Sequence, residues 1–291
     1  HSSLLDLISL PVEKTDAKEI AKRCKLAFLA LPHKTSMNIA KELLNLGVKV
    51  VDLSADYRLE QETYEANYCP HEDLEHLDEA VYGLIEYYKD EIKRANLVAS
   101  PGCYPTATLL GVLPFIKYLD NSIPLFIDAK SGVSGAGKKL TVNSHFVTIN
   151  DNIFAYNPLK HRHAPEIREK INKIYGVDFS VNFVPHLIPA TRGELVSIYG
   201  VLKEDIEPME VLREAYLNER FIRLRDKPVD IKSVAGTHFC DIYASKNGKS
   251  LFISSAIDNL LRGASSQALA SANLMMGLDE GVALPVIAYV P

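Results

Sequence analysis

Between Leu26 and Leu53 the chain changes its periodicity twice. An apolar run, Leu26 to Leu31, leads into a Ser/Thr-flanked helical pattern from Ser36 to Leu46, Gly47 stops it, and Val48 to Leu53 is apolar again. Strand-length apolar runs on either side of a helix-period segment predict a strand–helix–strand unit. Parallel strands joined by such a crossover are the natural fit. A further buried strand is predicted at Asn96 to Ser100, ended by Pro101 and Gly102, with a helix from about Pro105 to Tyr118. Together these point to an α/β fold with a parallel sheet.

Past Asp120 strand-like runs dominate, at Leu125 to Asp128, Val181 to Val184, Leu195 to Val201 and Leu251 to Ile257. Amphipathic helices are predicted near Glu166 to Ile174 and Pro208 to Leu217, so a second, α+β domain is expected. The C-terminus returns to helix over Leu260 to Met276, where Ala264, Ala268 and Ala272 recur four apart and permit close packing. A dinucleotide fold normally opens with strand, G-x-G-x-x-G and helix, and the chain holds no such element. The first part of that domain is therefore expected to be missing from the chain.

Composition excludes several functions. With 291 residues, 47% of them hydrophobic, the chain can bury a large core, and its 32 Lys and Arg against 37 Asp and Glu leave a net charge of −5 without long single-sign blocks. Neither nucleic acid nor membrane is expected as a partner. The cysteines Cys24, Cys69, Cys103 and Cys240 are scattered, which disfavours a zinc cluster or a disulfide framework and suits a reducing compartment. No run approaches the roughly 18 apolar residues of a membrane span, and the N-terminus lacks the pattern of a secretory signal, so a cytoplasmic location is expected.

Ser100-Pro101-Gly102-Cys103-Tyr104-Pro105-Thr106 sets a thiol where a buried strand meets a helix, among free N–H groups and at the positive end of the helix dipole. That position should favour thiolate and could bind the oxyanion formed when sulfur attacks a carbonyl. The other three cysteines read as small buried hydrophobes. His161-Arg162-His163-Ala164-Pro165-Glu166-Ile167 sets two imidazoles before a helix and facing the same way, suited to acid–base work beside a cysteine; a zinc site or a solvated pair are the competing readings. Gly132 to Lys138 has Walker A spacing, but Lys139 stands where Ser or Thr should hold Mg²⁺. It reads instead as a glycine loop whose N–H groups and Lys138 could approach phosphate. In Pro185 to Gly193, turn residues flank Arg192, which could clamp a carboxylate or be an ordinary surface charge.

Seven segments, in order, resemble the N-acetyl-gamma-glutamyl-phosphate reductase family, in the group that also contains aspartate-semialdehyde dehydrogenase. They are Val51 to Arg58, Ala80 to Leu84, Pro101 to Thr106, Ser131 to Gly137, His161 to Ile167, Pro185 to Gly193 and Ala256 to Leu260. Ser100 stands where the family usually has Asn. The resemblance implies a Rossmann-like dinucleotide-binding domain, residues 1–102 and 259–291, incomplete at its N-terminus. Residues 103–258 would form a catalytic, substrate and oligomerisation domain with a mainly antiparallel sheet. It further implies NADP as cofactor, a small-molecule acyl phosphate as substrate, no metal, and a homo-oligomer, dimer or tetramer. Cys103 falls on the nucleophile and His163 on the acid/base. His161, Arg192 and Lys138 fall where substrate is held, and Ser134, Gly135 and Asn259 line the nicotinamide pocket.

The implied reaction is NADPH-dependent reduction of N-acetyl-gamma-glutamyl phosphate to the semialdehyde through a Cys103 thioester, in arginine biosynthesis. Three other readings stand beside it. An aminoadipyl-phosphate reductase of lysine biosynthesis would differ by one methylene, worth about 1–3 kcal/mol of discrimination. A P-loop nucleotide-binding protein would rest on Gly132 to Lys138. A catalytically silent oligomeric scaffold would follow from an incomplete cofactor half.

Overall fold

The computed structural model describes residues 11–137 and 139–289, and within them the chain builds two sheets. In the first, β1 (Leu26–Leu29), β2 (Lys49–Asp52), β3 (Val81–Tyr82) and β4 (Leu97–Ala99) are all parallel, in the order β1-β2-β4-β3. β4 is buried at every residue, as a central parallel strand must be. The crossovers and flanks are α1 (Ala17–Arg23), α2 (Thr35–Asn45), α3 (Gln61–Asn67), α4 (Leu74–Glu79) and α5 (Ile85–Arg94). α2 turns Met37, Ala40 and Leu43 inward at helical spacing. Lacking a side-chain cap of its own, it is started by Asp56, whose Oδ2 accepts the N–H groups of Lys34 and Met37 at 2.9 Å each. Gly47, at φ +78°, lets the chain leave the helix for β2.

The chain then enters α6 (Cys103–Val112), buried at every residue from Tyr104 to Val112, and continues as a 3-10 turn, Leu113–Tyr118, with Pro114 near its start. The predicted helix over Pro105 to Tyr118 is thus two elements. The remaining elements are β5 (Leu125–Gly132), α7 (Phe146–Ile149), β6 (Phe154–Ala155), α8 (His163–Tyr175), β7 (Val181–Ile188) and β8 (Glu194–Val201). After them come α9 (Pro208–Ala215), β9 (Ile222–Leu224), β10 (Cys240–Asn247), β11 (Ser250–Ile257) and α10 (Ser266–Met275). The seven strands order as β6-β7-β5-β8-β11-β10-β9. β5–β7 and β9–β10 are parallel and the other four pairs antiparallel, so the sheet is mixed and mainly antiparallel.

Alternation assigns the two faces of this sheet. Ile127, Phe183, Val196, Ile198 and Ile253 share one core with Leu109 and Leu110 of α6 and Ile167 and Ile171 of α8. On the other face Phe126 and Tyr199 stay exposed, and the Tyr199 ring lies 5.5 Å from Phe252. After β11 the predicted C-terminal helix begins irregularly, as a π turn over Leu261–Ser265, before α10 carries Ala268 and Ala272 back among Val51, Ile85, Ile92 and Val98 of the first sheet. The turn lies on Cys103: a Cβ on Gly263 would stand 2.6 Å from the cysteine's Cβ. Only glycine fits so close an approach.

Candidate active site

The carboxyl ends of parallel strands in an open sheet form the usual crevice for ligands. Here β1 leads to His33, β2 to Ser54 and Arg58, and β4 to Pro101, Gly102 and Cys103. Gly102 is the N-cap of α6, so Cys103 is its first helical residue, two residues ahead of the start predicted at about Pro105. The strand-to-helix turn is held by buried charge. Glu166 Oε1 accepts the Gly102 N–H at 3.0 Å and the Tyr82 hydroxyl at 2.8 Å. Arg58 donates to the carbonyls of Ser100 and Leu53, each at 2.7 Å, and its Nη1 lies 3.5 Å from Glu166 Oε2. Both ends of the turn are thereby fixed.

The histidines converge on the same turn. α8 begins at His163 itself, with Arg162 already in helical geometry, so the pair sits on a helix start rather than on the predicted extended segment. Their rings are 4.7 Å apart, and Tyr104 touches both edge-on. His163 Nε2 would lie 2.7 Å from a Cβ on Gly102, which places it one residue from the cysteine. Its Nδ1 is buried without a partner. Burial, with His161 and Arg58 nearby, holds His163 well below its ordinary pKa of 6.5, and burial with Arg162 pulls His161 down to about 4. Both imidazoles are neutral at pH 7.

Cys103 corrects one expectation. Burial and then the carboxylate of Glu194 push the thiol well above its ordinary value, against the lowering effect of the Tyr104 N–H and Arg58. Desolvation outweighs the helix start, so the resting group is a thiol, not the thiolate expected from its position. Glu194 itself is buried, and neither of its carboxylate oxygens meets a donor in hydrogen-bonding geometry. Burial raises its pKa to about 8, with proximity of the thiol pulling down and Asp258 pushing up.

Around this centre lie the turns that carry the other predicted residues. Asn259 Oδ1 accepts the Gly193 N–H at 2.9 Å and its Nδ2 donates to Ser134 Oγ at 3.0 Å, tying the glycine loop to the Arg192 turn. Gly135 fits against Ser131, whose Oγ would be 2.6 Å from a Cβ there. Arg192 Nη1 is 3.4 Å from Asp258 Oδ2, and Asp258 also accepts the N–H groups of Gly236, Leu260 and Leu261. The guanidinium is aimed by a buried carboxylate and remains about a third exposed. Lys138 lies outside the described residues. A P-loop opens an α-helix after its Gly-Lys pair, but residues 139–141 are non-helical and only a 3-10 turn, Val142–Ser144, follows, which disfavours the P-loop reading.

With this geometry in place, comparison with known proteins decides the lineage. Residues 103–259 match the family described as semialdehyde dehydrogenase, dimerisation domain, and residues 1–95 the family described as semialdehyde dehydrogenase, NAD binding domain. The N-acetyl-gamma-glutamyl-phosphate reductase of Sulfurovum sp. is 73% identical over 291 residues, all of this chain and 87% of that protein. That of Wolinella succinogenes is 65% identical over all of this chain and 86% of its own length. The chain belongs to the N-acetyl-gamma-glutamyl-phosphate reductase family. Aspartate semialdehyde dehydrogenase II of Vibrio cholerae, 15% identical, shares the fold with a TM-score of 0.68 over 88% of this chain and 81% of that one.

For a member of the N-acetyl-gamma-glutamyl-phosphate reductase family, the described residues fit one end of a dinucleotide. Next to the Ser134–Asn259 link a cleft of about 420 Å³, bordered by Ser134, Pro189, Ala190 and Thr191, is of small-molecule size. No strand–G-x-G-x-x-G–helix element occurs among the described residues. Sequence reading had passed over Arg58, Tyr82, Glu166 and Glu194 as functional residues. The last carried a signal: Glu194 alternates with Val196 and Ile198, which assigns it to the core face of β8, where a carboxylate is out of place.

Proposed function

We propose that the chain catalyses NADPH-dependent reduction of N-acetyl-gamma-glutamyl phosphate to N-acetylglutamate 5-semialdehyde and phosphate, a step of arginine biosynthesis. The observation that carries this reading is whole-chain identity of 73% and 65% to enzymes of that name. The position of Cys103 at the start of α6, beside His163, supports it. In this reading Cys103 sulfur attacks the acyl carbon, the bond to the phosphate oxygen breaks, and a thioester forms. His163, neutral, offers a ring N–H to the acyl oxygen as charge develops there, an effect of about 10²- to 10⁴-fold in rate. Bound NADPH supplies the hydride that reduces the thioester carbon.

Arg192, aimed by Asp258, takes the substrate carboxylate, His161 contributes to substrate binding, and Lys138 serves the phosphate. Ser134, Gly135 and Asn259 border the nicotinamide end. We assign residues 1–102 and 259–291 to the cofactor half and 103–258 to the substrate half. The open sheet face carrying Phe126 and Tyr199 is the surface on which a second copy docks, in keeping with the dimerisation-domain match, to give a dimer or tetramer. A cytoplasmic location suits the reduced cysteines; among the described residues no helix is long and apolar enough to cross a membrane.

The test is reduction of NADP⁺ by N-acetylglutamate 5-semialdehyde. Turnover should require phosphate, exceed that with the aminoadipyl homologue by about 10- to 200-fold in kcat/KM, and vanish in Cys103→Ser with circular dichroism unchanged. Near-wild-type turnover in Cys103→Ser would overturn the reading.

A further inference from the structure

Arg262 lies within the π turn over Leu261–Ser265, and its side chain is only 1% exposed. Two distant segments reach in to hold it. Its Nη2 donates to Glu86 Oε1, in the first turn of α5, and its Nη1 to His238 Nε2, ahead of β10, at 2.6 Å. A guanidinium can only donate, so His238 Nε2 is the acceptor and Nδ1 carries the proton, donated to Ser266 Oγ at the head of α10 at 2.7 Å. Such a bridge is a poor source of stability. Taking two charges out of water costs about as much as their attraction returns, unless every remaining polar atom is also satisfied. Here Glu86 Oε2 and Arg262 Nε are both buried without a partner. An apolar pair of the same shape would serve the core as well, but it would not fix a direction.

The direction fixed is that of the turn, a geometry that gathers at functional sites. The Gly263 N–H donates to the Asp258 carbonyl and the Ser265 N–H to that of Leu260, each at 2.9 Å. Gly263, next to Arg262, lies on the cysteine: a Cβ there would stand 2.6 Å from the Cys103 Cβ and 3.1 Å from its Cα. At the other end of the turn Asp258 aims Arg192 and Asn259 holds Ser134. We propose that Arg262, fixed by Glu86 and His238, is a positioning residue that sets the spacing between the Cys103 sulfur and the nicotinamide end at Asn259, and so governs the hydride step. The inference rests on Cys103 as nucleophile and on Asn259 bordering the nicotinamide, and deepens that reading. Cys103 keeps its own place at the start of α6; without the bridge it is the turn that drifts. A misplacement of about 1 Å can cost about 10²-fold in rate when the reacting atoms must meet at about 3–3.5 Å.

Replacing the pair together, Glu86→Leu with Arg262→Met, separates positioning from structure. The urea midpoint should equal or exceed that of the wild type. In phosphate-dependent reduction of NADP⁺ by N-acetylglutamate 5-semialdehyde, kcat should fall by about 10- to 100-fold with each KM within about threefold. Aldehyde deuterated at its carbonyl carbon should show a larger isotope effect on kcat than in the wild type, because hydride transfer is the step that slows. His238→Leu, which leaves the ion pair in place, should lower kcat in the same way, and His238→Gln, whose amide oxygen can accept from Arg262, should restore it to within about threefold of wild type. A folded double variant with kcat within about twofold of wild type would overturn the assignment. So would a fall in kcat that comes with a lowered midpoint and an unchanged isotope effect, since the bridge would then be structural alone. Should the double variant fail to fold, absence of rescue by His238→Gln would overturn it. Failure here leaves Cys103→Ser inactive, whereas an active Cys103→Ser would sink the nucleophile itself.

Discussion

Replacing Glu194 by Gln should stabilise the protein, and the gain should grow with pH. The carboxyl group is fully buried, and its pKa moves from an ordinary 4.5 to about 8, chiefly through loss of water. Between those values the folded chain holds a proton that the unfolded chain has released, so each rise in pH draws the equilibrium toward unfolding. The protonated form contributes no penalty below 4.5; the loss accumulates upward and is complete above about 8. At 1.36 kcal/mol per unit the shift corresponds to about 5 kcal/mol, a ceiling reached only if the folded protein does not relax around the charge. Even half of that is a large fraction of a typical folding free energy. Glutamine keeps the shape and never ionises. Urea unfolding of both proteins at about pH 5 and about pH 8.5 should show their difference in stability widening by at least about 2 kcal/mol at the higher pH. A difference that stays constant within about 0.5 kcal/mol would refute the reasoning, since the carboxylate would then be solvated in the fold.

Three further outcomes follow from the same geometry. Arg58→Ala strands the Glu166 carboxylate and frees the Ser100 carbonyl, so it should cost about 3–5 kcal/mol in chemical denaturation; a cost under about 1 kcal/mol would mean the pair is wet. His163→Asn should lower kcat by about 10²- to 10⁴-fold with KM little changed, and because burial keeps His163 neutral, wild-type kcat should show no histidine titration near its ordinary 6.5. Phe126→Asp with Tyr199→Asp should dissociate the oligomer in light scattering; an unchanged mass would place the interface elsewhere.

The strand–helix–strand unit was legible because α2 keeps one apolar stripe and Gly47 ends it, and β5, β7, β8 and β11 were legible as apolar runs. β10 was passed over although Asn247-Gly248 is a hairpin signal; Gly248 takes φ +57° and Asn247 pairs with Ser250 across the turn. The π turn at Leu261–Ser265 could not be read from alanine spacing, because it answers to the cysteine that Gly263 touches. Cys103 was visible from its place between strand and helix, but its protonation was not. That depends first on burial and then on Glu194, a residue set in the core by the pairing of β8 with β5 and β11. The Arg58–Glu166–Tyr82 network was hidden for the same reason: its members come from three separate segments and meet only around the Gly102 turn.

The sulfur of Cys103 is the point on which the chemistry turns, and omission of phosphate isolates it. With N-acetylglutamate 5-semialdehyde and NADP⁺ but no phosphate, the account predicts a burst of about one NADPH per chain and an N-acetylglutamyl group on the peptide containing Cys103, which phosphate then removes. Steady phosphate-independent turnover, or an acyl group on any other residue, would contradict it.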